Sequence, residues 1–123
     1  MDITKLALQD EATINIDMPD GSPSGITIAL CSSETEQYQK AAKKLRNARL
    51  KMSRDGEETE MDSIERQSAQ FIADCIVSWE GLEKDGEPFP CTAKNAFELF
   101  SKHRWLKEKV DRELANTANF MQR

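Results

Sequence analysis

The sequence predicts an α+β fold that is mainly α, with an N-terminal β-hairpin packed on about four helices. Near the N terminus, apolar residues alternate with polar ones, which is the period of a half-buried strand. From residue 33 onward they recur every three or four positions, as in amphipathic helices. A chain of 123 residues fits one domain with a modest core. We therefore predict a single domain over 1–123, with a β-hairpin region at 1–32 and a helical region at 33–123.

The hairpin is predicted from two alternating segments and the loop that joins them. Residues 14–18 read INIDM and residues 26–30 read ITIAL. The intervening residues 19–25 read PDGSPSG, a composition typical of loops because Gly permits positive φ and Pro fixes φ. Two strands alone are marginal in water, so we expect their apolar face to pack on the helices or on a second subunit.

The first helix is predicted over roughly 34–53, because Ser33 and Glu36 have the spacing of a capping box. Its apolar stripe comprises Tyr38, Ala41, Ala42, Leu45, Ala48 and Met52. Its other face is basic and carries Lys40, Lys43, Lys44, Arg46, Arg49 and Lys51. Residues 54–60 have no apolar side chain and are predicted to form an acidic loop.

A second helix is predicted from Asp62, which has capping spacing with Glu65, to Trp79. Its stripe comprises Ile64, Ser68, Phe71, Ile72, Cys75, Ile76 and Trp79. Gly81 is placed where a helix C-cap needs left-handed geometry. Residues 84–88 then read KDGEP, which predicts a tight turn.

Two further helices are predicted in the last third of the chain. Thr92 is a plausible N-cap for a short helix that ends near Phe100. Polar residues 101–104 then interrupt the apolar pattern, and a last helix follows. Its stripe comprises Leu106, Val110, Leu114, Ala118 and Met121.

The composition excludes several classes of protein. No apolar run is long enough to span a bilayer, and the first residues lack the pattern of a secretory signal. A cytoplasmic location is therefore the default expectation. Cys31, Cys75 and Cys91 form no CxxC pair, so reduced thiols are expected, with neither a disulfide framework nor a zinc site.

We predict that the chain is not an enzyme and needs no cofactor or metal. The only histidine is His103, and a pair of Cys91 with His103 is the one candidate for nucleophilic catalysis. Neither residue lies in a known nucleophile motif. An exposed histidine in the polar stretch 101–104 is the simpler interpretation.

The basic face of the first helix, residues 40–54, raises the alternative of nucleic-acid binding, since clustered cations neutralise phosphates. Against it, the flanking segments are acidic, the net charge is −5, and no aromatic residues interleave with the cations. We therefore favour a solvated face, or one that pairs with an acidic partner such as Glu57, Glu58 and Glu60 nearby in the chain.

Aromatic residues are concentrated in the second half of the chain. For Phe71 and Trp79, packing in the core is the expected role. Phe89 lies between two prolines and Trp105 lies at a helix junction, so an exposed aromatic there would mark a protein-binding patch. The candidate protein-binding residues are Phe89, Phe100, Trp105 and Leu106.

Three segments carry a resemblance to a known family. Residues 71–82 read FIADCIVSWEGL, residues 85–90 read DGEPFP and residues 95–100 read NAFELF. This arrangement resembles the tail assembly chaperones of long-tailed bacteriophages. The resemblance implies a non-catalytic factor in the bacterial host cytoplasm that binds the tape measure protein, helps recruit the tail tube protein and self-associates. It implies neither a nucleic-acid partner nor a membrane partner.

Overall fold

The computed structural model of the protein describes residues 1–54 and 61–121 and confirms the predicted α+β, mainly α class. Two 3-10 turns, Ile3–Leu6 and Thr117–Phe120, lie near the two ends of the described chain. In chain order the other elements are β1 (Glu11–Asp17), β2 (Pro23–Cys31), α1 (Glu36–Arg54), α2 (Met61–Asp74), β3 (Ile76–Glu80), β4 (Glu83–Lys84), β5 (Glu87–Pro88), α3 (Ala93–Lys102) and α4 (Arg104–Ala115).

The predicted N-terminal hairpin is confirmed, and it belongs to a three-stranded antiparallel sheet with the order β1-β2-β3. In its register Ile14 lies opposite Ile28, and Ile16 lies opposite Ile26. The alternation holds in β1, where Ile14 and Ile16 are buried and their neighbours in the strand are exposed. Met18, which the alternation placed in the first strand, lies beyond its end and is 41% exposed.

The second predicted helix is too long, because α2 ends at Asp74 and the chain then forms β3. In β3, Ile76 pairs with Leu30 while Ser78 pairs with Ala29, so Val77 has no partner in β2 and forms a bulge. The bulge interrupts the alternation of the strand and leaves both Ile76 and Trp79 buried. Ile76 and Trp79 are three residues apart, a spacing that is also typical of one face of a helix. Here the spacing arises from a bulged strand.

The sequence predicted Gly81 as a helix C-cap, and this prediction is wrong. Gly81 directly follows strand β3 and has a φ of +85°. A Cβ atom at this position would lie 2.1 Å from the carbonyl oxygen of Gly25. The segment after β3 therefore passes so close to β2 that only glycine fits there.

The first helix is confirmed with nearly the predicted bounds, although its cap differs. The Tyr38 amide donates to the hydroxyl of Thr35 at 3.2 Å, so Thr35 fills the capping role that the spacing assigned to Ser33. The acidic loop was predicted over residues 54–60. Apart from Arg54, the last residue of α1, it lies outside the described residues, and so do Glu57, Glu58 and Glu60. The side chain of Asp62 is likewise outside the described part.

The tight turn and the third helix also agree with prediction. Asp85 and Gly86 have φ of 54° and 83°, the left-handed pair of a type I′ hairpin turn, and Lys84 lies opposite Glu87. Thr92 caps α3 by accepting a hydrogen bond from the Asn95 amide at 3.1 Å.

The last helix is shorter than predicted, because α4 ends at Ala115 and the chain continues into the 3-10 turn Thr117–Phe120. The ends of the described chain are joined there. The Gln9 amide donates to the carbonyl of Phe120 at 2.7 Å, and Leu8 bridges Met121. Phe120 is only 1% exposed and so closes one side of the core.

The core lies between the sheet and the helices, and α2 contacts α1, α3 and α4. Its most fully buried large side chains are Ile16, Ile28, Leu30, Ile72, Val110, Phe100 and Phe120. None of the helices in the described residues is both long and apolar enough to cross a membrane.

Candidate functional site

Phe89 lines the first candidate surface and contacts the buried Trp79. Their rings are stacked, with centroids 5.7 Å apart and planes 1° apart. The indole N–H of Trp79 also donates to the carbonyl oxygen of Phe89 at 2.7 Å. The segment that follows the β4–β5 hairpin is thereby held against β3.

The segment that carries Phe89 is held by the backbone on both sides. The Phe89 amide donates to the Leu82 carbonyl at 2.9 Å. The side-chain amide of Asn95 donates to the Pro90 carbonyl at 2.9 Å, which ties the segment to the first turn of α3. Phe89 is therefore held in place, and its ring is half-buried.

A shallow depression of about 190 Å³, here called the hairpin groove, opens beside this ring. Glu98 lines it, accepts a hydrogen bond from Lys102 at 2.8 Å and faces Lys84 at 3.8 Å. The Lys102 ammonium, followed by Lys84, lowers the pKa of Glu98 below its usual value. The groove is lined by Leu82, Glu83, Lys84, Phe89, Glu98, Leu99, Lys102 and His103.

The structure divides the four predicted protein-binding residues into two pairs. Phe100 and Leu106 are only 1% and 2% exposed and belong to the core, so a partner could reach little of either side chain. Phe89 and Trp105 are half-buried and keep part of their rings accessible. Phe89 lines the hairpin groove, whereas Trp105 lies at the start of α4 outside it. Their contact with a partner stays a prediction.

The surroundings of the candidate catalytic pair, Cys91 with His103, do not favour nucleophilic chemistry. His103 is exposed between α3 and α4, and Cys91 is exposed before α3. Partial burial raises the pKa of Cys91, which disfavours the thiolate that a nucleophile needs. Within residues 1–54 and 61–121, no group of three or more potential metal ligands is gathered in one place.

A second surface, which the sequence did not predict, lies along α1. It is an open depression of about 520 Å³, called the α1 groove, lined by Tyr38, Ala42, Leu45, Arg46, Arg49, Leu50 and Phe71. Tyr38 and Phe71 meet edge to face at 5.6 Å and form its floor. Leu50 is 61% exposed at its margin.

The α1 groove exists because α1 is incompletely covered. In the stripe predicted to face the core only Ala41 is buried, while Tyr38, Leu45 and Met52 are half-buried. Two depressions adjoin the groove. One lies between α1 and α2 and is crossed by an ion pair of Lys44 with Asp74 at 3.6 Å. The other extends toward α4.

The sequence does contain a signal for this surface. The stripe of α1 includes three alanines, Ala41, Ala42 and Ala48, and short side chains bury little apolar area against a neighbouring helix. Leu50 lies off that stripe. A helix with a weak inner face and a leucine outside it is a candidate for a second contact.

The cations of α1 differ in their surroundings. Lys40 pairs with Glu36 at 3.1 Å on the exposed side of the helix. Arg46 and Arg49 line the α1 groove, and within the described part of the chain neither forms an ion pair. The groove therefore combines apolar side chains with two arginines that form no ion pair among the described residues.

A family model described as YdaY prophage protein matches residues 33–123. The matched part begins just before α1 and contains the four helices α1 to α4 and strand β3, while β1 and β2 precede it. No curated protein and no solved structure in the comparisons matches the chain.

Proposed function

Since the chain belongs to the YdaY prophage protein family and is phage-derived, we propose that it is a non-catalytic tail assembly chaperone. In this role it binds the phage tape measure protein in the bacterial host cytoplasm, keeps it soluble and assists tail polymerisation. It has no enzymatic activity and needs no cofactor.

The observation that carries this proposal is apolar surface that stays accessible after the core is assembled. Leu50 is 61% exposed, and Phe71, Phe89 and Trp105 are half-buried. Leu50 and Phe71 line the α1 groove and Phe89 lines the hairpin groove, whereas Trp105 lies outside both. Accessible apolar side chains next to charged ones are typical of protein-binding surfaces.

The size of the chain fits a client that is long and helical. A small protein offers only weak contacts at each surface, but several copies along one client gain affinity through avidity. We therefore expect the chain to self-associate, and to bring the tail tube protein to the client.

Co-expression with the tape measure protein of the same prophage tests the proposal. We expect the wild-type chain to move the client from the pellet into the soluble fraction and to co-purify with it. Trp105→Ala should lower the recovered client, since Trp105 keeps part of its ring accessible. A client that is equally insoluble with and without the wild-type chain would contradict the function. Unchanged client recovery with Trp105→Ala would remove only that residue.

The competing function is nucleic-acid binding through the basic helix 40–54. Its support is the cluster of α1 cations, four of which form no ion pair within the described residues: Lys43, Arg46, Arg49 and Lys51. Titration of a labelled duplex at low and moderate salt decides between the two functions. Affinity that falls steeply as salt rises would favour this alternative, and no binding would remove it.

A further inference from the structure

We propose that the α1 groove docks one amphipathic helix of the partner protein, with leucine-like side chains on its inner face and acidic residues along its flank. This inference rests on the proposed function in one respect, since it gives the protein client of that function a contact surface. The groove itself is defined by Tyr38, Leu45, Leu50 and Phe71 as apolar elements and by Arg46 and Arg49 as charged ones.

The dimensions of the groove match a short helix. Its lining on α1 runs from Tyr38 to Leu50, and a rise of about 1.5 Å per residue makes that stretch about 18 Å long. A partner helix of roughly three turns covers the same length. Such a helix presents side chains at positions i, i+3, i+4 and i+7 to an apolar groove.

The apolar elements are placed to receive these side chains. Tyr38 and Phe71, in edge-to-face contact, form a rigid floor, and Leu45 lies beside them half-buried. Leu50 stands at one margin with 61% of its surface exposed. Burying this margin under a partner removes apolar area from water, which is the main gain in such an interface.

The charged residues of the groove determine which side chains we expect along the flank of the partner helix. Arg46 and Arg49 line the groove without an ion pair in the described part of the chain. Lys107 adds a cation in the depression toward α4, although Glu108 and Asp111 line that depression too. Acidic side chains on the partner, placed next to Arg46 and Arg49, complement the positive charge of these two arginines.

Two other occupants fit the groove less well. A nucleic-acid backbone would satisfy the arginines but leave the apolar floor without a matching surface. The same α1 face of a second copy would bring the two basic margins together, which like charges oppose. A partner helix with an acidic flank satisfies the floor and the arginines at once.

Fluorescence anisotropy with two labelled peptides tests the inference on the full chain. Both peptides are helical, about 16 residues long so that the helix persists in water, and carry leucines at i, i+3, i+4 and i+7. One carries glutamates on its flanks and the other carries lysines. We expect the glutamate peptide to bind at least about tenfold more tightly than the lysine peptide, a ratio equivalent to about 1.4 kcal/mol.

Two kinds of substitution in the groove should have different effects, one weakening the glutamate peptide and the other reversing the preference between the two peptides. Leu50→Glu should weaken the glutamate peptide by about tenfold or more, as expected when an anchor position is lost. The double variant R46E/R49E should prefer the lysine peptide. Because this second result is a gain of binding, a failure to fold cannot produce it.

Lys40 and Lys51 provide the matched control. At about 100° per residue they lie on the side of α1 opposite the groove, so K40E/K51E changes the net charge by the same amount without touching it. This variant should bind the glutamate peptide within about twofold of wild type, since exposed charges and exposed ion pairs, such as that of Lys40 with Glu36, have small effects.

Several results would overturn the inference. One is that the chain binds both peptides equally, or binds neither of them. Another is an affinity that is unchanged in Leu50→Glu, or that falls equally in K40E/K51E and R46E/R49E. A third is displacement of the glutamate peptide by a DNA duplex. A change of oligomeric state in Leu50→Glu, with peptide affinity unchanged, would also overturn it and assign the groove to a second copy.

Co-expression separates this inference from the proposed function. If wild type fails to solubilise the tape measure protein, the function fails whatever the peptides do. If wild type and the triple variant R46E/R49E/L50E solubilise it equally, the function stands and the groove is wrong as its docking site.

Discussion

The Trp79 indole N–H donates to the carbonyl oxygen of Phe89 across 2.7 Å while the two rings lie parallel at 5.7 Å. Trp79 thus contacts Phe89 in two ways, by stacking on its ring and by a hydrogen bond to its backbone carbonyl. This contact joins β3 to the segment after β5 that carries Phe89, a lining residue of the hairpin groove.

Trp79→Phe keeps an aromatic ring for stacking but removes the N–H donor. We expect the free energy of unfolding to fall by about 1–2 kcal/mol, the usual effect of losing such a hydrogen bond. Urea denaturation followed by circular dichroism measures it. Trp105→Phe, at a half-buried site, is the matched control and should cost less. Equal losses in the two variants would show that the hydrogen bond to Phe89 adds nothing.

Gly81→Ala should destabilise the fold by about 2 kcal/mol or more, because it combines a left-handed φ with a collision. The new Cβ would lie 2.1 Å from the carbonyl oxygen of Gly25. Gly86→Ala separates the two effects, since Gly86 has a φ of +83° but a Cβ added there would meet no atom within 4 Å. It should cost about 1 kcal/mol. Similar melting temperatures for the two variants would contradict the close approach.

The three thiols should differ in reactivity. Cys91 is exposed, whereas Cys31 and Cys75 are buried side by side, with the Cys31 amide donating to the Cys75 carbonyl at 3.0 Å. A hydrogen bond from the Cys75 thiol lowers the pKa of Cys31. Contact with Cys31 and burial raise the pKa of Cys75.

Accessibility should dominate over these pKa shifts, because a thiolate reacts only where the reagent reaches it. With a thiol-specific chromophoric reagent at neutral pH, we expect one fast equivalent in the native protein and two more on unfolding in urea. Cys91→Ser should abolish the fast phase. A fast phase that survives in Cys91→Ser would mean that the Cys31–Cys75 pair opens readily.

Glu113 should make stability depend on pH in the acid range. A hydrogen bond from Asn119, followed by one from Lys109, lowers the pKa of Glu113 below its usual 4.5. The unfolded chain therefore takes up this proton first as pH falls. The stabilisation is present above pH 4.5 and is lost below it, as the pH passes through the folded pKa.

Glu113→Gln should reduce this loss, by less than about 1 kcal/mol because the ion pair is partly solvated. Thermal unfolding measured between about pH 6 and pH 3 tests it, a range that spans the carboxyl titration. Asn119→Ala removes the main donor and should flatten the pH dependence in a similar way. An unchanged pH dependence in both variants would contradict the role of the Glu113–Asn119 contact.

Local signals were sufficient for much of the fold. The alternation in residues 14–18 and 26–30 predicted the hairpin, the DG pair at 85–86 predicted the tight turn, and Thr92 predicted the start of α3. Each depends on a preference that acts over a few residues, so each can be recognised without knowing the tertiary structure.

Strand β3 could not be predicted in this way. Ile76 and Trp79 are three residues apart, a spacing that continued the stripe of α2. The chain leaves the helix because β2 offers a free edge to pair with, and the bulge at Val77 accompanies that pairing. Tertiary pairing of this kind overrides local preference.

The candidate surface was predicted only in part. The sequence drew attention to Phe89 and Trp105, which remain partly accessible, but it could not show that Phe100 and Leu106 are covered by the core. It also missed the α1 groove. The alanines in the α1 stripe and Leu50 outside it signal a weak inner face, but which part of that face stays open depends on how the neighbouring helices are placed.

The most direct test of the central claim is co-purification of the chain with the tape measure protein of the same prophage. We predict a soluble complex on size-exclusion chromatography that contains several copies of the chain for each client, with the client in the pellet when it is expressed alone. A client that is soluble without the chain, or that never co-elutes with it, would contradict the assignment as a tail assembly chaperone.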